Sequence, residues 1–163
     1  MAAASMMFAS SCSKENRLVS FTPAIVVYHT YSNGESVIYL LENADDLIDY
    51  YDTNGKLVPN SRKVKGIRWV RVNLFSHDLT DNILNQDYKV LNSNAVSFSG
   101  ISNGGEATVY YAPDGYASSG GSLTIGTNSL SIQVDLPIFR KLEVNYTGEI
   151  AKYEYIGELN TDK

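Results

Sequence analysis

Turn-forming residues recur at close intervals along this chain, and they limit how long any element between them can be. Asn33-Gly34 and Asn54-Gly55 punctuate the first half. In the second half Asn103-Gly104-Gly105, Pro113-Asp114-Gly115, Ser119-Gly120-Gly121 and Gly126-Thr127-Asn128 follow one another at about six to ten residues. Asn-Gly is the strongest short hairpin signal, because both positions tolerate φ > 0. Residues 24–31 and 36–41 flank the first such pair and are dense in β-branched and aromatic side chains, which suit a pleated surface. In residues 66–76, Val70, Val72 and Leu74 share one face. Ile67, Trp69, Arg71, Asn73 and Phe75 share the other, which is mixed. Further short strands are expected at 88–91, 95–98, 107–111, 122–125, 130–134, 141–146 and 150–155, the last two joined at Thr147-Gly148. Residues 47–51 are expected as a strand, against a competing helix over 44–51 capped by Asn43. Residues 76–87 are polar and expected as a loop with at most one helical turn, Leu79 to Leu84. No 3.6-residue periodicity is sustained and no repeat of fixed length occurs, so a solenoid or propeller is not expected. The pattern predicts an all-β or β-dominated fold, an antiparallel sandwich or meander of short strands.

With 163 residues and 18.0 kDa, the chain suits one domain. The expected division is a tail over 1–20, a β-rich domain over 21–157 and a short tail over 158–163. Hydrophobic residues make up 44% and charged residues 19%, which excludes a disordered acidic tail. A single Cys cannot close a bridge within the chain. A sequence pI near 4.9 argues against a nucleic-acid partner, which needs a basic face to release counterions. No apolar run reaches the roughly 20 residues of a membrane-spanning helix.

No pattern of catalytic residues stands out, and the chain is expected to be non-enzymatic. His29 and His77 lack a second ligand at metal spacing, so no metal is expected. Asp45, Asp46, Asp49, Asp52 and Asn54 crowd one stretch. A calcium loop with Gly55 at its sixth place would put Tyr50 first and Ser61 last, which fails at both ends; a solvated acidic turn is the simpler reading. None of the Gly clusters leads into Lys-Ser/Thr and a helix, so no phosphate cradle and no cofactor is expected. Arg62, Lys63, Lys65, Arg68 and Arg71 form the one basic group, expected as a solvated edge that discourages edge pairing. Asn145-Tyr146-Thr147 is a formal glycosylation sequon. Twelve Tyr give a surface suited to a ligand such as a glycan, with Trp69, Tyr110, Tyr111, Tyr116 and Tyr50 the candidates, against cross-strand packing as their alternative role. A small hydrolase with two carboxylates brought together in space is a third reading.

Two resemblances add to this. Residues 110–125, in which Tyr110-Tyr111 run into Pro113-Asp114-Gly115, Gly120-Gly121 and a Thr-bearing strand, are similar to the C-terminal region of minor pseudopilins and minor type IV pilins. Thr147-Gly148 matches their late turn. Residues 41–47, 50–55 and 67–74 are similar to the β-domain of another minor-pilin subgroup. This resemblance implies a non-enzymatic structural or binding module of the bacterial cell envelope, with protein partners or self-assembly. The long apolar helix of pilins has no counterpart here, since Pro23 follows Phe21-Thr22. Ala9-Ser10-Ser11-Cys12 resembles the end of a bacterial lipoprotein signal, and Ser13-Lys14-Glu15 is similar to surface-export signals. Ala9 stands where Leu is favoured, and no Lys or Arg precedes the apolar run. The resemblance implies a lipid anchor at Cys12 as the link to a membrane, and a ligand-binding surface lipoprotein as the alternative function. Without it, residues 1–20 are a frayed tail with a stray thiol.

Overall fold

The computed structural model describes residues 17–75, 82–92, 105–112 and 115–156. Fourteen strands lie among them: β1 (Arg17–Ser20), β2 (Ile25–Thr30), β3 (Glu35–Leu41), β4 (Leu47–Tyr51), β5 (Leu57–Val64), β6 (Trp69–Phe75), β7 (Gln86–Val90), β8 (Glu106–Ala112), β9 (Tyr116–Ala117), β10 (Gly120–Ile125), β11 (Ser129–Leu136), β12 (Arg140–Thr147), β13 (Ile150–Lys152) and β14 (Tyr155–Ile156). Eleven form one large sheet in the order β1-β12-β11-β10-β7-β8-β6-β3-β2-β13, with β9 hydrogen-bonded to β8. The other three form a small sheet, β14-β5-β4. The β-dominated fold is as the turn pattern predicts. No helix among the described residues is long and apolar enough to cross a membrane.

The large sheet curls so that one half covers the other. Val26, Ile38, Leu40, Val70, Val72 and Val109 of β2, β3, β6 and β8 meet Leu123, Ile132, Val134, Leu142 and Val144 of β10, β11 and β12 in a first core. The small sheet lies on the opposite face of β2-β3-β6-β8. There Leu47, Val64 and Ile156 pack with Val27, Tyr39, Leu41 and Trp69 in a second core. The four shared strands are therefore buried on both sides. This explains why Val26-Val27-Tyr28 and Val37 through Leu41 are uninterrupted apolar runs in which every residue is buried. On β11, whose outer face is wet, burial alternates instead: Leu130, Ile132, Val134 and Leu136 are buried while Gln133 and Asp135 are exposed.

Local chemistry sets the connections. Asn33 accepts from the Glu35 amide at 3.1 Å and turns β2 into β3. Asp52 Oδ1 accepts from the amides of Asn54 and Lys56, both at 2.9 Å, so the acidic stretch is a capped turn. Residues 47–51 are strand; only Ala44–Asp46 make a 3-10 turn, capped by the Asn43 side chain. The hairpin between β11 and β12 is different. Its loop, Pro137-Ile138-Phe139, holds Ile138 at φ 62 and Phe139 at φ 54. Left-handed backbone costs an L-residue about 1–2 kcal/mol, and a β-branched residue there is an outlier.

The structure departs from the sequence expectation in three respects. Arg17–Ser20, expected as tail, is a strand paired with β12. Leu57–Val64, not expected as a strand, is the centre of the small sheet. And β1-β12, β13-β2 and β7-β8 in the large sheet and β14-β5 in the small one pair in parallel, so both sheets are mixed instead of purely antiparallel. The strand expected at 95–98, the turns at 103–104 and 113–114, the tail 158–163, His77 and Cys12 lie outside the described residues.

Candidate functional site

The chain passes from one sheet to the other within residues 150–156. β13 runs parallel to β2 on the large sheet, and the Tyr153 amide extends that pairing to the Tyr28 carbonyl at 2.8 Å. β14 then runs parallel to β5 on the small sheet. A cleft of about 370 Å³ opens beside this crossing, walled by Lys152, Tyr153 and Glu154 on one side and by Asp49 and residues of β5 on the other.

A bulge in β5 shapes the second wall. Asp49 pairs with Arg62 and Tyr51 with Leu57, so Tyr50 alone faces residues 58–61. Bulges bend a strand and re-aim its side chains. Pro59 has no N–H to lose and is tolerated in a central strand only at such a place. Ser61 Oγ donates to the Val58 carbonyl at 2.7 Å and closes the bulge on itself. Asn60 takes φ 59, which Asn tolerates better than most residues. Its amide donates to Glu154 Oε2 at 2.9 Å, across the cleft. Arg62 lies 3.6 Å from the Asp49 carboxylate. The lining thus holds two acidic groups, Asp49 and Glu154, and two basic ones, Arg62 and Lys152.

An aromatic group adjoins the crossing. His29 Nδ1 donates to the Tyr153 carbonyl at 2.8 Å, since a carbonyl can only accept. The His29 ring meets Tyr31 edge-on at 4.7 Å and Tyr155 at 6.3 Å. Tyr31 and Tyr155 are 37% and 44% exposed, which leaves ring surface open to a ligand.

The aromatic residues chosen from sequence do not make this site. Trp69 is 6% exposed, stacked on Tyr110 at 5.4 Å and edge-on to Tyr39 at 6.3 Å. The Arg71 guanidinium lies 5.3 Å from the Tyr110 ring centre. Tyr111, next along the strand, points to the opposite face, as the two-residue period requires. It is buried in the first core, edge-on to Phe21, and accepts from Arg68 Nη2 at 3.3 Å. Tyr116 is half-buried against the same core, with Arg140 at 5.1 Å from its ring. Tyr50 alone lies near the cleft, opposite the bulge, with Lys63 Nζ 4.5 Å from its ring centre. Cross-strand packing accounts for Trp69, Tyr110, Tyr111 and Tyr116. The basic group is likewise dispersed: Arg68 pairs with Glu42 at 3.1 Å on the large sheet, while Arg62 and Lys63 belong to the small one. Among the described residues, no group of three or more His, Cys, Asp or Glu is placed to hold a metal ion.

Sequence reasoning missed Tyr31, Tyr155, Asn60 and Glu154 as site residues. One usable signal was present: His29 and Tyr31 stand two apart in the extended run expected over 24–31, which puts them on one face. The meeting of Asn60 with Glu154 spans 94 residues and left no local trace. No family model, curated protein or solved structure matches the chain.

Proposed function

We propose that this chain is a non-enzymatic binding module of the bacterial cell envelope, and that its ligand is a neutral glycan held at the crossing between the two sheets. The observation that carries the reading is a polar cleft whose charges balance, lined by Tyr153, whose carbonyl holds the His29 ring that the exposed Tyr31 and Tyr155 meet. Sugars present C–H faces that pack on aromatic rings and hydroxyls that need planar polar partners. Asn60, Asp49, Arg62 and Glu154 supply such partners, and two charges of each sign favour no ion. The lipoprotein-like Ala9–Cys12 stretch supports the envelope setting. A pilin-like structural role is the weaker reading, because a pilin domain keeps one sheet face for a helix. Here the half-sheet β2-β3-β6-β8 is covered on both faces.

Glycan-array screening followed by titration calorimetry tests this. Tyr155→Ala and Tyr31→Ala are each expected to weaken binding about tenfold, equal to about 1.4 kcal/mol. Asn60→Gly, which keeps the left-handed backbone, is expected to weaken it without unfolding the chain. The captured glycan is expected to be recovered intact. An array signal unchanged in the Tyr31→Ala/Tyr155→Ala double variant, or no signal at all, refutes the site; a cleaved glycan refutes the non-enzymatic reading.

A further inference from the structure

The β11-β12 hairpin carries two large apolar side chains where its backbone asks for Asn or Gly. Ile138 and Phe139 are 67% and 54% exposed, and both residues sit at positive φ. Conformational outliers at an exposed tip point to a function for the residues that hold them. Three cations lie beside them. β1 pairs with β12 so that Arg17 stands opposite Arg140 and Leu18 opposite Lys141. Like charges directly opposite on neighbouring strands repel. Asp135, 3.8 Å from Lys141, and Glu143, which lines a cleft with both, are nearby acids. Leu18, 57% exposed, adds a third apolar side chain.

The position of the N-terminal stretch is the second observation. The Arg17 amide donates to the Phe139 carbonyl at 2.8 Å. Residues 1–16, with their Met6-Met7-Phe8 run, therefore join the described chain at the base of this tip. Cys12 is five residues from Arg17, so even a fully extended connection reaches no farther than roughly 18 Å.

We propose that the Ile138-Phe139 tip docks on an anionic lipid surface, with both side chains entering the interfacial layer and Arg17, Arg140 and Lys141 meeting lipid headgroup phosphates. The shape favours this occupant over a protein. A convex tip of two or three side chains falls far short of the roughly 1,200–2,000 Å² that a stable protein interface buries. Shallow insertion next to basic residues is what amphipathic interfacial segments use.

Flotation of the full, unlipidated chain with vesicles tests the proposal. One set is phosphatidylglycerol with phosphatidylethanolamine, the other phosphatidylcholine alone. The informative variant is Ile138→Asn/Phe139→Gly, which gives the turn residues its backbone prefers and so keeps the fold. Wild type is expected to float with the anionic vesicles, and the double variant to partition at least about tenfold less. A Phe139→Trp variant is expected to shift its emission to the blue on the same vesicles, above the background of buried Trp69. Added salt is expected to weaken the anionic-vesicle binding. Three results overturn the proposal: flotation equal in wild type and double variant, which assigns binding to residues 1–16; no flotation of wild type; or self-association without vesicles that the double variant abolishes.

Discussion

The Tyr88 hydroxyl donates to the Ile83 carbonyl at 3.0 Å inside the first core, and Tyr88 is 2% exposed. Burial penalises the phenolate, and the Tyr88 pKa is pushed up to about 12 from 10.0. Between those two values the folded chain keeps a proton that the unfolded chain has released. Stability therefore falls as pH rises through that window, and this contribution is complete below about pH 10. Urea denaturation is expected to show its midpoint dropping between pH 10 and 12, with the drop shallower in Tyr88→Phe. Equal slopes in the two proteins would contradict the assignment. At the same scale, Gly121 shows where side-chain absence matters. Its φ is 137, and an added Cβ would collide with the Gln133 carbonyl and lie 2.7 Å from Val134 Cα on the paired strand. The Gly120-Gly121 pair, read from sequence as a turn, is the start of β10.

Among the elements, the short β13 and β14 hold the two sheets together. Ile150 is buried in the first core and Ile156 in the second. Ile156→Ala is expected to cost about 2–4 kcal/mol by leaving a cavity between the small sheet and the rest. Hydrogen exchange is expected to accelerate chiefly in β4 and β5, with β10 through β12 less affected; uniform acceleration would mean that the small sheet is not separately anchored. What could be read from sequence follows the same division. Hairpins closed by Asn33-Gly34 and the apolar alternation of β10 to β12 are local, and both were legible. β5 was not, since Pro59 and the polar Asn60-Ser61-Arg62-Lys63 run resemble a loop until the bulge explains them. β1 was not, since four residues without a turn signal gain strand structure only from the distant β12. The site was the least legible part. Tyr110 and Tyr111 stood out as a pair, but a strand sends neighbours to opposite faces, so conspicuous aromatics became packing. The exposed rings came from Tyr31, two residues from His29, and from Tyr155, brought to it by a pairing far along the chain.

For the whole molecule, the shared half-sheet is the controlling fact. Neither core exists without β2, β3, β6 and β8, so both are expected to be lost together. Trp69 fluorescence reports the second core and far-UV circular dichroism the entire sheet; their denaturation midpoints are expected to coincide. Separated midpoints would show the small sheet melting alone. Pairing between distant segments also slows folding, placing it in the milliseconds-to-seconds range typical of sandwiches. The parallel pairings carry a further consequence for the order of events in the cell. β1 waits for β12, β2 for β13 and β5 for β14. A chain made or threaded from its N-terminus thus offers early strands whose partners arrive last. The finished architecture is out of reach until residue 156 has been made, so the last strands to appear are the ones that lock the first.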